Sequence, residues 1–190
     1  RRITAILAFA LLPACSTPPA PRPDLPAPPI IVGVSGDYPP FCEARPGPGT
    51  WQGYSGFDIE LLRQLSADLG RPVSLRPYRW GELSKLMAEG RLDLAVCGIT
   101  LRGDRASAMA FSRPYASSGA VAVIRAEDAA ELPTLAALDR PGRRIAVNAG
   151  GHLERVARSR FRHAELRPLD DNRRLREALA RGGVEAVVSD

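Results

Sequence analysis

Apolar residues follow two rhythms along this chain. Runs rich in Val, Ile and Ala end in glycine or in polar turn residues, and between them Leu recurs every three or four positions. The first rhythm predicts buried strands and the second amphipathic helices. "PIIVGVSG" (Pro29–Gly36) is the first strand, and "PVSLRPY" and "LDLAVCG" are the next two. "FDIELLRQLSADLG" predicts a helix with Ile59, Leu61, Leu62, Leu65 and Leu69 on its inner face and Gly70 as its stop. "WGELSKLMAEG" predicts a second helix facing inward through Leu83, Leu86 and Met87. Between the first strand and the first helix, "DYPPFCEARPGPGTWQGYSG" is dense in Pro and Gly and reads as loop or hairpin. Strand, helix, strand, helix, strand at these lengths argues for a parallel α/β sheet with right-handed crossovers.

The pattern restarts after about residue 118. "GAVAVIRA" is a strand, "TLAALDRPG" a short helix, "RRIAVNAGG" a strand running into a glycine pair, and "HLERVARSRF" a helix. "AELRPLDD" carries a proline and reads as an edge strand, "NRRLREALARGG" as a helix, and "VEAVVSD" as the last strand. The expected organisation is two α/β lobes, residues 30–117 and 118–190, the second incomplete, in a chain truncated at both ends.

The N-terminus changes the picture of where the domain works. "RRITAILAFALLPAC" has a basic start, an apolar run and then small residues, so residues 1–14 read as a secretory signal. Residues 15–29, Pro-rich throughout, read as an extended tether. "LPAC" is similar to a bacterial lipobox, which makes Cys15 the lipidated residue; plain signal cleavage is the alternative. The expected location is the periplasm or cell envelope, with a lipid anchor in the membrane. Export implies an oxidising compartment, in which Cys42 and Cys97 are either disulfide-bonded or two small buried hydrophobes.

Composition and charge mainly exclude. The 190 residues are 45% apolar and 6% aromatic, so aliphatic side chains must fill the cores. Lys85 is the only lysine, so the net charge of +5 rests on arginine. The basic residues lack an aromatic stacking platform, which argues against nucleic acid. Two histidines and two mature cysteines without ligand spacing argue against a metal, and no nucleotide fingerprint argues for a cofactor.

"DYPPF", "GFDIELLRQLSADLG", "GRLDLAVCGIT", "DR...FSRPY" and "GGVEAVVSD" occur in order over Ile30 to Asp190. Together they resemble family 3 of the bacterial extracellular solute-binding proteins, the amino-acid receptors of ABC importers. The resemblance implies a two-lobed type II periplasmic-binding-protein fold that closes over a small carboxylate, an amino acid above all, and an ABC permease as partner. The second lobe, through "VNAGGHLERVAR", Asp171–Asn172 and Trp80, is similar to cyclohexadienyl dehydratase, a cofactor-free lyase of the same fold acting on prephenate or arogenate. Its general-acid glutamate is expected beyond Asp190, so receptor and lyase both stand.

Arg105 follows a strand end, where open α/β sheets bind ligands, and its planar fork fits a carboxylate. The resemblance gives it that role; a surface charge paired with Asp104 is the alternative. Gly98 and Thr100 share its loop, Thr100 as a hydroxyl donor or only a turn cap. Gly150 and Gly151 precede a helix whose free N–H groups favour an anion. Asn148 stands at the strand end before them. His152, where the resemblance expects threonine, is a donor, an acid or a plain surface residue. Tyr38, Trp80 and Phe41 line the cleft or pack the core. Asp190 matches the position that pairs with a ligand ammonium.

Overall fold

The computed structural model describes residues 27–190. The proposed signal segment and Cys15, with most of the tether, lie outside the described residues. Three sheets organise the rest. The first is parallel: β1 (Ile30–Val34) sits between β5 (Val73–Pro77) and β6 (Leu94–Ala95), with Val32 opposite Leu75 on one side and Leu94 on the other. The second has the order β7 (Val121–Val123), β10 (Ala186–Ser189), β8 (Arg144–Asn148), β9 (Glu165–Leu169), with only β7 antiparallel to its neighbour. The Pro- and Gly-rich stretch forms the third, an antiparallel meander of β2 (Asp37–Tyr38), β3 (Cys42–Ala44) and β4 (Tyr54–Ser55).

Strand alternation builds the cores. In β8 and β10, Ile145, Val147, Ala186 and Val188 face one side, where they meet Leu153, Ala157 and Phe161 of and just after α5 (His152–Arg160). Ala146 and Val187 face the other and meet Leu175 of α6 (Asn172–Ala180). Helices therefore cover both faces, as a parallel sheet requires. In the first sheet Ile30, Val32 and Val34 pack toward α1 (Phe57–Leu69), against Leu62 and Ile59. Tyr78, Trp80, Leu92 and the residues Leu83 and Leu86 of α2 (Leu83–Ala88) make a separate cluster. Gly70 closes α1 in the left-handed conformation, φ 60°, and its N–H bonds the carbonyl of Ala67.

Several sequence expectations need correction. Leu61 and Leu69 of α1 are 48% and 53% exposed; only Ile59 and Leu62 are fully covered, because the sheet beneath α1 is three strands wide. β6 is two half-buried residues rather than a buried strand running to Gly98: the Val96 N–H still bonds the Gly33 carbonyl at 3.0 Å, and Cys97, at φ 96°, leaves the strand. α2 starts at Leu83, not Trp80. "GAVAVIRA" contributes only the three residues of β7. A one-turn helix, α3 (Gly103–Ala106), carries Arg105 and had no periodicity to announce it. "AELRPLDD" does form an edge strand, as expected, and β10 is interior in its sheet. Cys42 and Cys97 are bonded to each other, their Cα atoms 5.1 Å apart.

Candidate functional site

The parallel strands of both sheets end toward one another. Residues at or just after six of those C-terminal ends, the edge where open α/β sheets gather ligands, line one cleft. β1 leads to Tyr38, β5 to Trp80, β6 to Gly98, Thr100 and Arg105, β8 ends in Asn148 and leads to Gly151 and His152, β9 leads to Asn172, and β10 to Asp190. All nine residues singled out from the sequence thus meet at one place. Leu153 and Asn172 also line it and were not singled out. The cleft is nearly closed, with about 20 Å³ free, and adjoins a second cavity of about 390 Å³ that shares Tyr38, Gly98, Thr100 and Asp190. Phe41 lies in that second cavity and stacks on Tyr38 with ring centres 5.8 Å apart.

Arg105 is the side chain that defines the cleft. It is 2% exposed, and the one hydrogen bond its side chain makes among the described residues runs from Nη1 to the carbonyl of Thr100 at 3.2 Å. Its guanidinium lies 6.0 Å from the centre of the Trp80 ring. No carboxylate of the described residues reaches it; Asp104, its sequence neighbour, is held by Arg102 at 2.8 Å and by Arg155 at 3.0 Å. The surface-charge reading therefore fails on burial, and the Asp104 partnership fails on geometry. Burial, and then the charge of Arg102, pull the Arg105 pKa below its usual value. A buried cation with so little compensation is costly unless an anion completes it.

A network of buried acceptors holds this wall in place. Asp58, fully buried in the first turn of α1, accepts from the N–H of Cys97 at 2.7 Å and of Gly98 at 2.8 Å, and from the Tyr115 hydroxyl at 2.8 Å. The Cys42–Cys97 bond ties the same loop to the hairpin that carries Tyr38 and Phe41. Asp37, 5% exposed, accepts from Trp80 Nε1 at 3.2 Å and fixes that ring.

The opposite wall is backbone and neutral side chains. Gly150 has φ +71°, and a Cβ there would fall 2.5 Å from Cα of Gly81, so the two sheets approach through paired glycines. Asn148 is 4% exposed, and among the described residues its Nδ2 has no partner; neither has the buried Nδ1 of His152. Burial, then the charges of Arg102, Arg105 and Arg155, hold the His152 pKa below the usual imidazole value. Burial raises the Asp190 carboxyl, which accepts a hydrogen bond from the Tyr38 hydroxyl.

Contacts across the cleft keep it shut. Asp37 accepts from the backbone N–H of Asn172 at 3.0 Å and from its Nδ2 at 3.1 Å, at the start of α6. Arg79 bonds Asp170, and Arg155 bonds Asp104 at 3.0 Å. Asp37, Asn172 and Asp58 escaped the sequence reading of the site. In the sequence "DYPPF" and Asp171–Asn172 are only points of resemblance, and burial of a carboxylate leaves no mark in a single sequence.

The chain is 31% identical over 161 residues to cyclohexadienyl dehydratase of Pseudomonas aeruginosa, an alignment that covers 85% of this chain and 59% of the relative. It is 28% identical over 165 residues to the L-cystine-binding protein of Escherichia coli K12, covering 85% and 58%. The chain thus spans a little under three fifths of the length of these relatives. Among solved structures, an ancestral amino acid-binding protein described as a precursor of cyclohexadienyl dehydratase superposes with a TM-score of 0.78 at 27% identity, over 85% of this chain and 69% of the other. A substrate-binding protein of an amino acid ABC transporter from Streptococcus pneumoniae, bound to L-arginine, gives 0.76 at 25%, over 84% and 66%. The fold is that of type II periplasmic binding proteins. The model of one family matches residues 30–186, which include every cleft residue named above except Asp190, and the chain belongs to the bacterial extracellular solute-binding proteins, family 3.

Proposed function

We propose that this protein is an extracytoplasmic receptor that captures a small carboxylate, an amino acid, between its two lobes and hands it to an ABC permease. One observation carries the reading. Arg105 is a buried guanidinium on the cleft with a single backbone acceptor and no carboxylate partner among the described residues. A ligand carboxylate would take its fork, with the Thr100 hydroxyl, Asn148 Nδ2 and the free N–H groups at the start of α5 supplying further donors. Asp190 would accept from a ligand ammonium, and Trp80 and Tyr38 would flank the ligand's apolar body. The cleft as it stands has about 20 Å³ free, so on this reading a ligand enters by way of the adjoining cavity or by the lobes parting and re-closing. The same reading makes residues 30–117 and 118–190 the two lobes and Cys15 a lipid anchor that keeps the receptor at the membrane.

A second reading has its own support, the 31% identity to a cyclohexadienyl dehydratase. There the same donors would hold the carboxylates of prephenate while an acid protonates the departing hydroxyl. The amino-acid receptors found among both the sequence and the structural relatives favour the first. Calorimetry with the protein amino acids and L-cystine, beside an assay for phenylpyruvate formed from prephenate, separates them. A receptor gives saturable binding heat with an amino acid and leaves prephenate intact. Prephenate turnover without amino-acid binding overturns the receptor reading.

A further inference from the structure

We propose that the His152 ring takes up a proton when a carboxylate ligand enters the cleft, so that capture here is proton-linked. This rests on the reading above that the cleft binds a carboxylate. His152 is the first residue of α5, a nine-residue helix, and lines the cleft with Asn148 and Arg105. Its Nδ1 is buried without a partner among the described residues, and so is Nδ2 of Asn148 on the same wall. Unpartnered buried polar atoms carry a penalty that a polar ligand would relieve.

The charges around the ring set the sign. Arg102 and Arg105 act on it from the facing loop and α3, and Arg155 from its own helix. Asp104 opposes them but is engaged by Arg102 and Arg155. Glu154, the next residue of α5, is taken by the N–H of Gly150 and by Arg158. These surroundings, with burial, favour the neutral ring in the free protein. A carboxylate seated at Arg105 offsets that positive field and favours imidazolium. By linkage, a ligand that raises a pKa binds more tightly once the group is protonated. Affinity is therefore lowest above the bound-state pKa, rises as pH falls through it, and levels off below the free-state pKa. Each unit of pKa rise on binding corresponds to about tenfold in affinity. Asp190, on the same cleft, works in the opposite direction: its protonation at more acidic pH would weaken the hold on an ammonium group.

The test uses the full chain and a probe panel of the protein amino acids, L-cystine and prephenate. Calorimetry in buffers of different ionisation enthalpy counts protons bound with the probe, and NMR follows the two histidines across about pH 5 to 8, the imidazole range. His163, which lines none of the cavities described, is the internal reference. The expected results are fractional proton uptake, an affinity about tenfold lower at the alkaline end for a one-unit shift, and an upward shift of His152 but not His163 on adding probe. In His152→Thr the pH dependence should vanish, while His163→Gln should retain it. A probe that binds with buffer-independent heat and no His152 shift overturns this inference and leaves the receptor reading standing. Failure of every probe to bind overturns both. If His152→Thr does not fold or bind, the wild-type histidine titration still decides.

Discussion

The loop after β6 and the loop after β8 face each other across the cleft, and they are built on opposite plans. The loop after β6 has little local structure: its helix α3 is four residues long and lacks a side-chain cap. Its shape comes from distant residues, Asp58 on two of its amides and Cys42 through a disulfide. The loop after β8 is shaped locally, by Gly150 in a left-handed turn and by the start of a nine-residue helix. The first presents a buried cation, the second N–H groups, Asn148 and His152. A fixed charge in a low-dielectric site needs a rigid mount, because small displacements change its energy steeply. Amides at a helix start carry their orientation with them.

Breaking the distant ties should have the largest effect. The Cys42–Cys97 bond spans 55 residues; by chain entropy such a link contributes about 4 kcal/mol. Cys42→Ser with Cys97→Ser should lower unfolding stability by that order in denaturant titration and should weaken ligand binding as well. A double variant with unchanged midpoint and affinity would mean that the loop after β6 holds its shape without the bond.

Removing the charge itself comes next. Arg105→Ala should weaken binding at least about tenfold, since a hydrogen bond to a charged partner is worth about 1.5–3 kcal/mol. Arg105→Lys should recover only part, because an ammonium has no planar fork. Calorimetry on both variants reads this; equal affinity in wild type and Arg105→Ala would end the carboxylate role.

The local wall should be less sensitive. Gly150→Ala places a methyl 2.5 Å from Gly81 Cα and strains a φ of +71°. The lobes should then close less fully, and binding should fall by about three- to tenfold with a stability change of about 1 kcal/mol. Small-angle scattering with and without probe should report a smaller compaction than in wild type.

The smallest effect lies away from the cleft, in the turn that leads from α5 into β9 behind the local wall. One oxygen of Asp139 accepts from the N–H groups of Arg162, His163 and Ala164 at 2.7–3.0 Å, which holds its carboxyl below the usual value. A depressed folded pKa gives stability that is present above the unfolded value and lost as pH falls through the folded one. Asp139→Asn should therefore melt below wild type at neutral pH, and the gap should narrow on acidification. A gap independent of pH would show that the charge on Asp139 plays no part in the turn.

What a single sequence carries is periodicity, turn chemistry and order, and these determined much of this protein. The strand runs of β1, β5 and β8, the helix starting at His152, the glycine stops and the two-lobed α/β arrangement were all readable, because each depends on residues near one another in the chain. The resemblance then pointed to nine residues that the fold brings together from five strand ends. Tertiary structure decided the rest. Periodicity marked Leu61 and Leu69 as inward, but a three-stranded sheet leaves part of α1 uncovered. It left Cys42 and Cys97 with two readings, and only their 5.1 Å Cα separation chose between them. Asp37 meets Asn172 across 135 positions, and Asp58 meets Gly98 across 40, pairings that no local pattern encodes. Above all, Arg105 reads the same in sequence as the arginines of the surface. Its difference is its burial, with no carboxylate of the described residues to pair it, and both depend on which distant residues the fold brings near.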